Sequence, residues 1–190
     1  MRAVALMLPI VLCLFFSSQA ARYALLVGNA EGGHDETPLQ YVNNDLKQFR
    51  SVLTTVCGFE SGNVTMLYNA TASDLKETLA RLRSRLSLDT ARGLLLFYYT
   101  GHADEKSLKM GTGRYALSEL KTELSSVPAH IRIGVFDACQ SGSFTRLKGG
   151  RLAEPFLFKN DTKIKGQVIL SSSAAHENSQ ESDKYRASVF

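Results

Sequence analysis

Two side chains that together can perform nucleophilic catalysis each follow an apolar run of the sequence. His102 follows the run Gly93–Thr100, in the stretch "YYTGHAD". Cys139 follows the run Ile131–Ala138, in the stretch "GVFDAC". A histidine can take the proton of a cysteine thiol and later protonate the amine that leaves a cleaved peptide bond. The two residues therefore predict a Cys–His couple. A cysteine that only packs in the core is the alternative.

Other histidines compete for the role of base. His176 in "SSSAAHENSQES" and His34 in "GNAEGGHDE" remain open as rivals. His130 begins a predicted strand, which puts it at the opposite edge of the sheet. Gly101 and Gly142, close to the couple, would let backbone N–H groups approach a substrate carbonyl as an oxyanion hole.

The elements that must position these residues alternate between strands and helices. Apolar runs predict strands at Arg22–Asn29, Asn63–Asn69, Gly93–Thr100, Ile131–Ala138 and Gly166–Ser173. Apolar residues spaced by three and four predict three helices: one opened by Thr37-Pro38 and stopped by Gly58, one after the capping-box pair Thr71 and Asp74, and one over Ala116–Val127.

This alternation predicts one α/β domain with a mostly parallel sheet that is covered by helices on both faces. In such sheets, ligands bind beyond the carboxyl ends of the strands. His102 and Cys139 both follow strand ends, and one crossover connects their strands. The pattern therefore predicts that the two residues lie at the same edge of the sheet.

The first twenty residues differ from the rest of the chain. "MRAVALMLPIVLCLFFSSQA" has one Arg, an apolar run and then small residues, which is typical of an export signal. We expect residues 1–20 to be this signal, residues 21–190 to be the domain, and the protein to be exported to the periplasm or the extracellular space. A membrane anchor is the alternative, although the run is short for a stable span.

The remaining composition restricts the partners. The chain of 190 residues has a formal net charge of +4 without a block of like charges, so nothing supports nucleic-acid binding. The sequence lacks the spacing of a zinc site, a dinucleotide fingerprint and a P-loop, so we expect no metal and no cofactor. Cys57, directly before Gly58, could pair with Cys139 in an oxidising compartment. Two free thiols are the preferred interpretation.

The paired motifs "LLLFYYTGHAD" and "GVFDACQSG" resemble the His and Cys motifs of the caspase-like cysteine peptidases, nearest to the metacaspase and bacterial caspase-homologue branch. "RYALLVGN", "LQYVNNDLKQF" and "GQVILSSSAAHENSQES" resemble that family's first strand, the helix after it, and the fifth strand with the substrate loop. The resemblance implies a three-layer caspase-like sandwich. The sequence stops at "KYRASVF", so the family's C-terminal edge strand and last helices are expected to be missing.

The resemblance also implies roles for individual residues. Cys139 would be the nucleophile, His102 the general base, and the N–H groups of Cys139 and Ala103 the oxyanion hole. Asp137 and Asp45 would form an acidic pocket that selects a basic P1 residue, the residue before the cleaved bond. For Asp45 a solvated helix position is the alternative. Ser171 and Ser172 would belong to the substrate-binding loop.

Two residues depart from the family pattern. Ala103 stands where the family usually has Gly, so the loop after His102 is expected to be stiffer. Arg146 stands where the calcium-binding pattern of some metacaspases has an acidic residue, so calcium activation is not implied.

The implied function is an exported cysteine endopeptidase that cleaves peptide or protein substrates after Arg or Lys. Self-processing within the basic loop Ser143–Lys165 is a further expectation. The alternative is a caspase-fold interaction or regulatory module with weak catalysis, which would bind a partner at an open edge of the sheet.

Overall fold

The computed structural model describes residues 20–31, 37–88, 93–104, 106–138, 166–172 and 180–189. Its helices are α1 (Val42–Thr55), α2 (Ala72–Leu88) and α3 (Leu117–Ser126), with a short 3-10 turn at Ser61–Asn63. Its strands are β1 (Arg22–Asn29), β2 (Val64–Tyr68), β3 (Leu94–Gly101), β4 (Ser107–Met110), β5 (Gly113–Ala116), β6 (Ile131–Ala138), β7 (Gly166–Ser171), β8 (Gln180–Ser182) and β9 (Ala187–Val189).

Five of these strands form one parallel sheet in the order β2-β1-β3-β6-β7. The apolar strands β1 and β3 are buried along almost their whole length, because helices cover both faces of the sheet. The predicted α/β architecture with a mostly parallel sheet is therefore confirmed. The strands β3 and β6 are direct neighbours in this sheet, as the predicted crossover requires.

Two hydrophobic cores lie on opposite faces of the sheet. Alternate residues of β1 divide between them: Leu25 and Val27 contribute to the core beside α2 and α3, whereas Ala24 and Leu26 contribute to the core beside α1. This division follows from the two-residue period of a strand, in which successive side chains point to opposite faces. One face of the sheet therefore packs against α2 and α3, and the other face packs against α1, which carries Asp45.

The sequence predicted the start of α2 better than the start of α1. The capping box before α2 is present, since the N–H of Thr71 donates to Asp74 and the N–H of Asp74 donates to the Thr71 hydroxyl. The helix expected to open at Thr37-Pro38 starts only at Val42. The carboxylate of Glu181, far along the chain, accepts the backbone N–H groups before that helix, which no local pattern could indicate.

Two antiparallel hairpins were not predicted. β4 pairs with β5 beside the carboxyl end of β3, and β8 pairs with β9 against the start of α1. Each of these strands has only three or four residues, which is too short for a clear alternating pattern. The second hairpin includes part of "KYRASVF", the last stretch of the printed sequence, after which the resemblance led us to expect the family's edge strand.

Candidate active site

The strands β3 and β6 end together at one edge of the sheet. In their parallel register Gly101 pairs with Ala138, the last residue of β6. His102 and Cys139 are the next residues in the sequence after this pair. The sequence-based expectation that both strands end at the same edge is therefore confirmed.

Several residues singled out in the sequence lie outside the described residues. They are the export segment 1–19, His34, Cys139, Arg146, the loop 143–165 and His176. Cys57, which the sequence left as a candidate disulfide partner, is described. It is an exposed free thiol just after α1.

The imidazole of His102 is anchored by a backbone carbonyl from the loop between β1 and α1. Its Nε2 lies 3.0 Å from the carbonyl oxygen of Thr37. A carbonyl oxygen can only accept a hydrogen bond, so Nε2 carries the proton in the neutral ring. That tautomer leaves the lone pair on Nδ1, which is the state of a base that can accept a proton there.

Ala103 follows His102 in an arrangement that leaves its N–H out of the local ladder. It forms an isolated antiparallel bridge with Leu108. The backbone hydrogen bonds of this bridge come from the flanking residues: Asp104 N–H to the Ser107 carbonyl at 2.9 Å, and Lys109 N–H to the His102 carbonyl at 3.0 Å. Ala103 and Leu108 thus form a non-hydrogen-bonded pair, and the pairing between the described residues does not use the N–H of Ala103.

Asp45 and Asp137 are brought together at this edge although they are far apart in the sequence. Asp45 is 8% exposed on α1 and Asp137 is 4% exposed on β6, so the solvated alternative for Asp45 is wrong. Ser188 of β9 connects them, because its N–H donates to Asp45 Oδ1 at 3.2 Å and its hydroxyl donates to Asp137 Oδ2. Within the described part of the chain, Asp45 Oδ2 and Asp137 Oδ1 have no hydrogen-bond partner.

The acid pair is electrostatically costly in its present surroundings. Burial raises the pKa of Asp45 to about 6, helped by the charges of Asp137 and Glu181 and opposed by the hydrogen bond from Ser188. Burial also raises the pKa of Asp137, against hydrogen bonds from Ser188 and Ser172. Among the described residues no cation pairs with either carboxylate. A buried carboxylate without a cation favours its neutral form, and an arriving cation reverses this preference.

Of the two serines assigned to the substrate loop, Ser172 contacts this pair. Ser171 is the last residue of β7 and lies opposite Phe136 in the register. The N–H of Ser172 donates to the Phe136 carbonyl at 3.0 Å, and its side chain hydrogen-bonds Asp137. The structure therefore brings Ser172 into contact with the acid pair.

Two residues of this site were missed in the sequence. Glu181 accepts the N–H groups of Gln40 and Tyr41 at 3.0 and 2.9 Å, and its charge acts on both aspartates. Ser188 forms the bridge between those aspartates. Glu181 lies near the end of "GQVILSSSAAHENSQES" and Ser188 lies in "KYRASVF", but neither stretch indicated a contact with the aspartates. Both residues reach the site because the β8–β9 hairpin packs on α1.

The described residues contain no group of three or more His, Cys, Asp or Glu side chains that could hold a metal ion. None of the helices in these segments has the length and apolar character needed to cross a membrane.

Comparisons with known proteins agree with this architecture. The family model described as a caspase domain, Peptidase C14, matches residues 21–190. Caspase-1 from Spodoptera frugiperda superimposes with a TM-score of 0.65 at 18% identity, covering 89% of this chain and 65% of its own. A structure described as pro-sf-caspase-1 superimposes with a TM-score of 0.54 at 17% identity, covering 83% and 57%.

These similarities differ in what they show. The chain spans less than two thirds of the length of either solved structure. At such low identity the superpositions show a shared fold, whereas the family model covers nearly the whole printed sequence. No curated protein sequence matches the chain.

Proposed function

The chain belongs to the caspase domain family, and from that membership we propose that it is a cysteine endopeptidase that cleaves peptide bonds after Arg or Lys. The observation that carries the basic preference is the buried pair of Asp45 and Asp137. Each has one oxygen without a partner among the described residues, and the pair adjoins the strand ends that precede His102 and Cys139.

The proposed reaction uses the Cys–His couple. Nδ1 of His102 takes the thiol proton of Cys139, and the thiolate sulfur attacks the carbonyl carbon of the substrate, forming a C–S bond. The N–H groups of Ala103 and Cys139 stabilise the oxyanion. The C–N bond then breaks as the imidazolium protonates the leaving amine. Water, deprotonated by His102, hydrolyses the thioester and restores the thiol.

Two contacts of the described residues support parts of this scheme. The Thr37 carbonyl holds the Nε2 proton of His102, which directs the basic nitrogen Nδ1 to the reaction. The bridge between Ala103 and Leu108 does not use the Ala103 N–H for pairing among the described residues, which is compatible with a bond from this N–H to an oxyanion.

The acid pair supports the choice of a basic P1 residue, and with it the metacaspase-like branch. A guanidinium has parallel N–H donors that match two carboxylate oxygens, and Asp45 Oδ2 and Asp137 Oδ1 are both without a partner in the described chain. An Asp side chain would meet two like charges there. A cation between the pair would also stabilise their ionised forms.

Peptides that differ only at P1 test the proposal. We would compare fluorogenic peptides ending in Arg, Lys, Asp and citrulline, which is the uncharged isostere of Arg. We expect the highest kcat/KM for Arg, followed by Lys, with little turnover of the citrulline and Asp peptides. Asp137→Asn should lower kcat/KM for the Arg peptide by about tenfold or more, because a buried charge-assisted hydrogen bond is lost.

Cysteine variants give the controls. Cys139→Ala should abolish turnover, whereas Cys57→Ala should keep it, since Cys57 is an exposed free thiol. No turnover of the Arg peptide, or equal turnover by Cys139→Ala, would overturn the peptidase proposal. A Cys139 thiol that alkylates no faster than Cys57 at pH 6 would favour the interaction module instead.

We also propose that residues 1–20 direct export, on the evidence of their sequence pattern alone. N-terminal sequencing of the protein recovered from the periplasm or the medium tests this. A mature N-terminus at Ala21 or Arg22 is the expected result, and an intact Met1 in the cytoplasm would contradict it.

A further inference from the structure

Asp104, two residues after His102, is held by an unusually complete set of hydrogen bonds. Its Oδ1 accepts the N–H of Lys106 at 2.9 Å, and the N–H and the hydroxyl of Ser107 at 2.8 and 2.9 Å. Its Oδ2 accepts a guanidinium N–H of Arg114 at 2.8 Å. Such Asp-to-backbone bonds close a chain into a tight turn.

This turn sets the position of the chain before it. Because the Asp104 side chain draws Ser107 back, the Asp104 N–H also reaches the Ser107 carbonyl at 2.9 Å. The next hydrogen bond between these two antiparallel segments joins the Lys109 N–H to the His102 carbonyl at 3.0 Å. The Tyr99 hydroxyl, 2.6 Å from that carbonyl oxygen, holds it from within the core.

Ala103 lies between these two hydrogen bonds. The turn at Asp104 brings Leu108 opposite Ala103, where the two residues form a bridge. This bridge fixes the direction in which the N–H of Ala103 points. The backbone of His102 is fixed by the same pairing. The Asp104 carboxylate is therefore linked through backbone hydrogen bonds to a proposed base and to a proposed oxyanion donor.

We propose that Asp104 is a positioning residue, which holds Lys106 and Ser107 by hydrogen bonds and so aligns His102 and the N–H of Ala103. The proposal rests on the proposed peptidase function and deepens it. Asp104 touches neither substrate nor nucleophile in this role and acts only through the backbone of its neighbours.

The role of Asp104 depends on the position of its acceptor oxygen Oδ1 more than on its negative charge. Three of the hydrogen bonds fall on Oδ1, which the amide oxygen of Asn can replace. The Arg114 side chain is 64% exposed, so its ion pair contributes little. Burial opposes ionisation of Asp104, but hydrogen bonds from Lys106 and Ser107 outweigh it and lower the pKa of the carboxyl. The acid therefore stays an acceptor at neutral pH.

Two variants of Asp104 and one matched control test the proposal. Asp104→Ala should lower kcat by about tenfold to a hundredfold with KM for the Arg peptide unchanged, because the acid pocket lies on other elements. Asp104→Asn should stay within about threefold of wild-type kcat, since Asn still accepts at Oδ1. Asp74→Ala removes a similar carboxylate, which accepts the N–H and hydroxyl of Thr71 at 2.8 and 2.7 Å. It should lower the melting temperature comparably and leave kcat unchanged.

Amide hydrogen exchange separates this proposal from the peptidase proposal. The Lys109 amide should exchange about tenfold faster in Asp104→Ala and be unchanged in Asp74→Ala, whether or not the protein cleaves peptides. Wild-type protein without turnover would overturn the proposed function alone. Unchanged exchange of Lys109, or a kcat of Asp104→Ala within about twofold of wild type, would overturn the role of Asp104.

Discussion

The carbonyl oxygen of Thr37 lies 3.0 Å from Nε2 of His102, and this contact joins the loop before α1 to the end of β3. A carbonyl has no proton to give, so this backbone contact by itself selects one tautomer of the ring. Backbone selection of this kind persists through side-chain substitutions in the loop.

Nitrogen-15 NMR of the histidine rings checks this tautomer. We expect neutral His102 to carry its proton on Nε2, with Nδ1 showing the shift of an unprotonated nitrogen, because the Thr37 carbonyl requires a donor. His130 serves as the reference ring in the same spectrum. A neutral His102 with its proton on Nδ1 would contradict the proposed route of the thiol proton.

The affinity for a basic substrate should depend on pH through Asp45. Its pKa is raised to about 6 by burial and by the charges of Asp137 and Glu181, against the hydrogen bond from Ser188. Below that pH the carboxyl is neutral and attracts a cation less. We therefore expect KM for the Arg peptide to rise about three- to tenfold as pH falls from 7 to 5.

Two controls belong to this measurement. The citrulline peptide should show little change in KM over the same range, because it carries no charge for Asp45 to attract. Asp45→Asn should flatten the pH dependence for the Arg peptide. An unchanged slope in that variant would place the titrating group elsewhere.

Removing the charge of Asp45 should stabilise the fold at neutral pH. The folded carboxyl has a pKa of about 6, whereas an unperturbed aspartate has a pKa of 3.8, so between these values the folded state binds more protons than the unfolded chain. Stability from this group therefore falls as pH rises through that window. We expect Asp45→Asn to raise the free energy of unfolding at pH 7.5 by about 1–2 kcal/mol.

Urea denaturation at two pH values tests this stability prediction. The gain of Asp45→Asn over wild type should shrink towards zero near pH 4, where the wild-type carboxyl is already protonated. A variant less stable than wild type at pH 7.5 would mean that a group other than Ser188 stabilises the Asp45 carboxylate.

Gly101, the residue before His102, should tolerate no side chain. Its φ is +151°, and an added Cβ would lie 2.6 Å from the carbonyl oxygen of Asn29 in β1. That oxygen belongs to the paired backbone and cannot move aside. We expect Gly101→Ala to lower the free energy of unfolding by about 2–4 kcal/mol in chemical denaturation.

Gly62 is the matched control for this substitution. An alanine Cβ at Gly62 would have no atom within 4 Å, so Gly62→Ala should change stability by less than about 0.5 kcal/mol. Equal effects of the two substitutions would show that the backbone at Gly101 adapts more easily than its contacts indicate.

The sequence predicted the buried frame of this fold better than its edges. β1 and β6 have the predicted bounds, and β3 begins one residue later than predicted, because continuous apolar runs identify strands that are buried on both faces. The capping box of α2 involves residues three apart, so local sequence was enough to place it. The common edge of β3 and β6 followed from these elements.

What the sequence missed depends on contacts between distant residues. α1 starts late because Glu181 holds the preceding backbone, 140 and 141 positions away. Ser188 reaches Asp45 over 143 positions. The Asp104 turn was within reach of local reasoning, since Asp and Ser three apart often close a turn. The strands β4 and β5 next to this turn have four residues each, which is too short for an alternating pattern to indicate a hairpin.

The bridge made by Ser188 also concerns the order in which the protein is synthesised. Asp45 and Asp137 leave the ribosome well before Ser188, and their connection has to await the β8–β9 hairpin. A nascent chain that already holds the parallel sheet thus lacks the residue that connects the two aspartates. Nearly all the printed sequence must emerge before the pocket proposed for a basic side chain is complete.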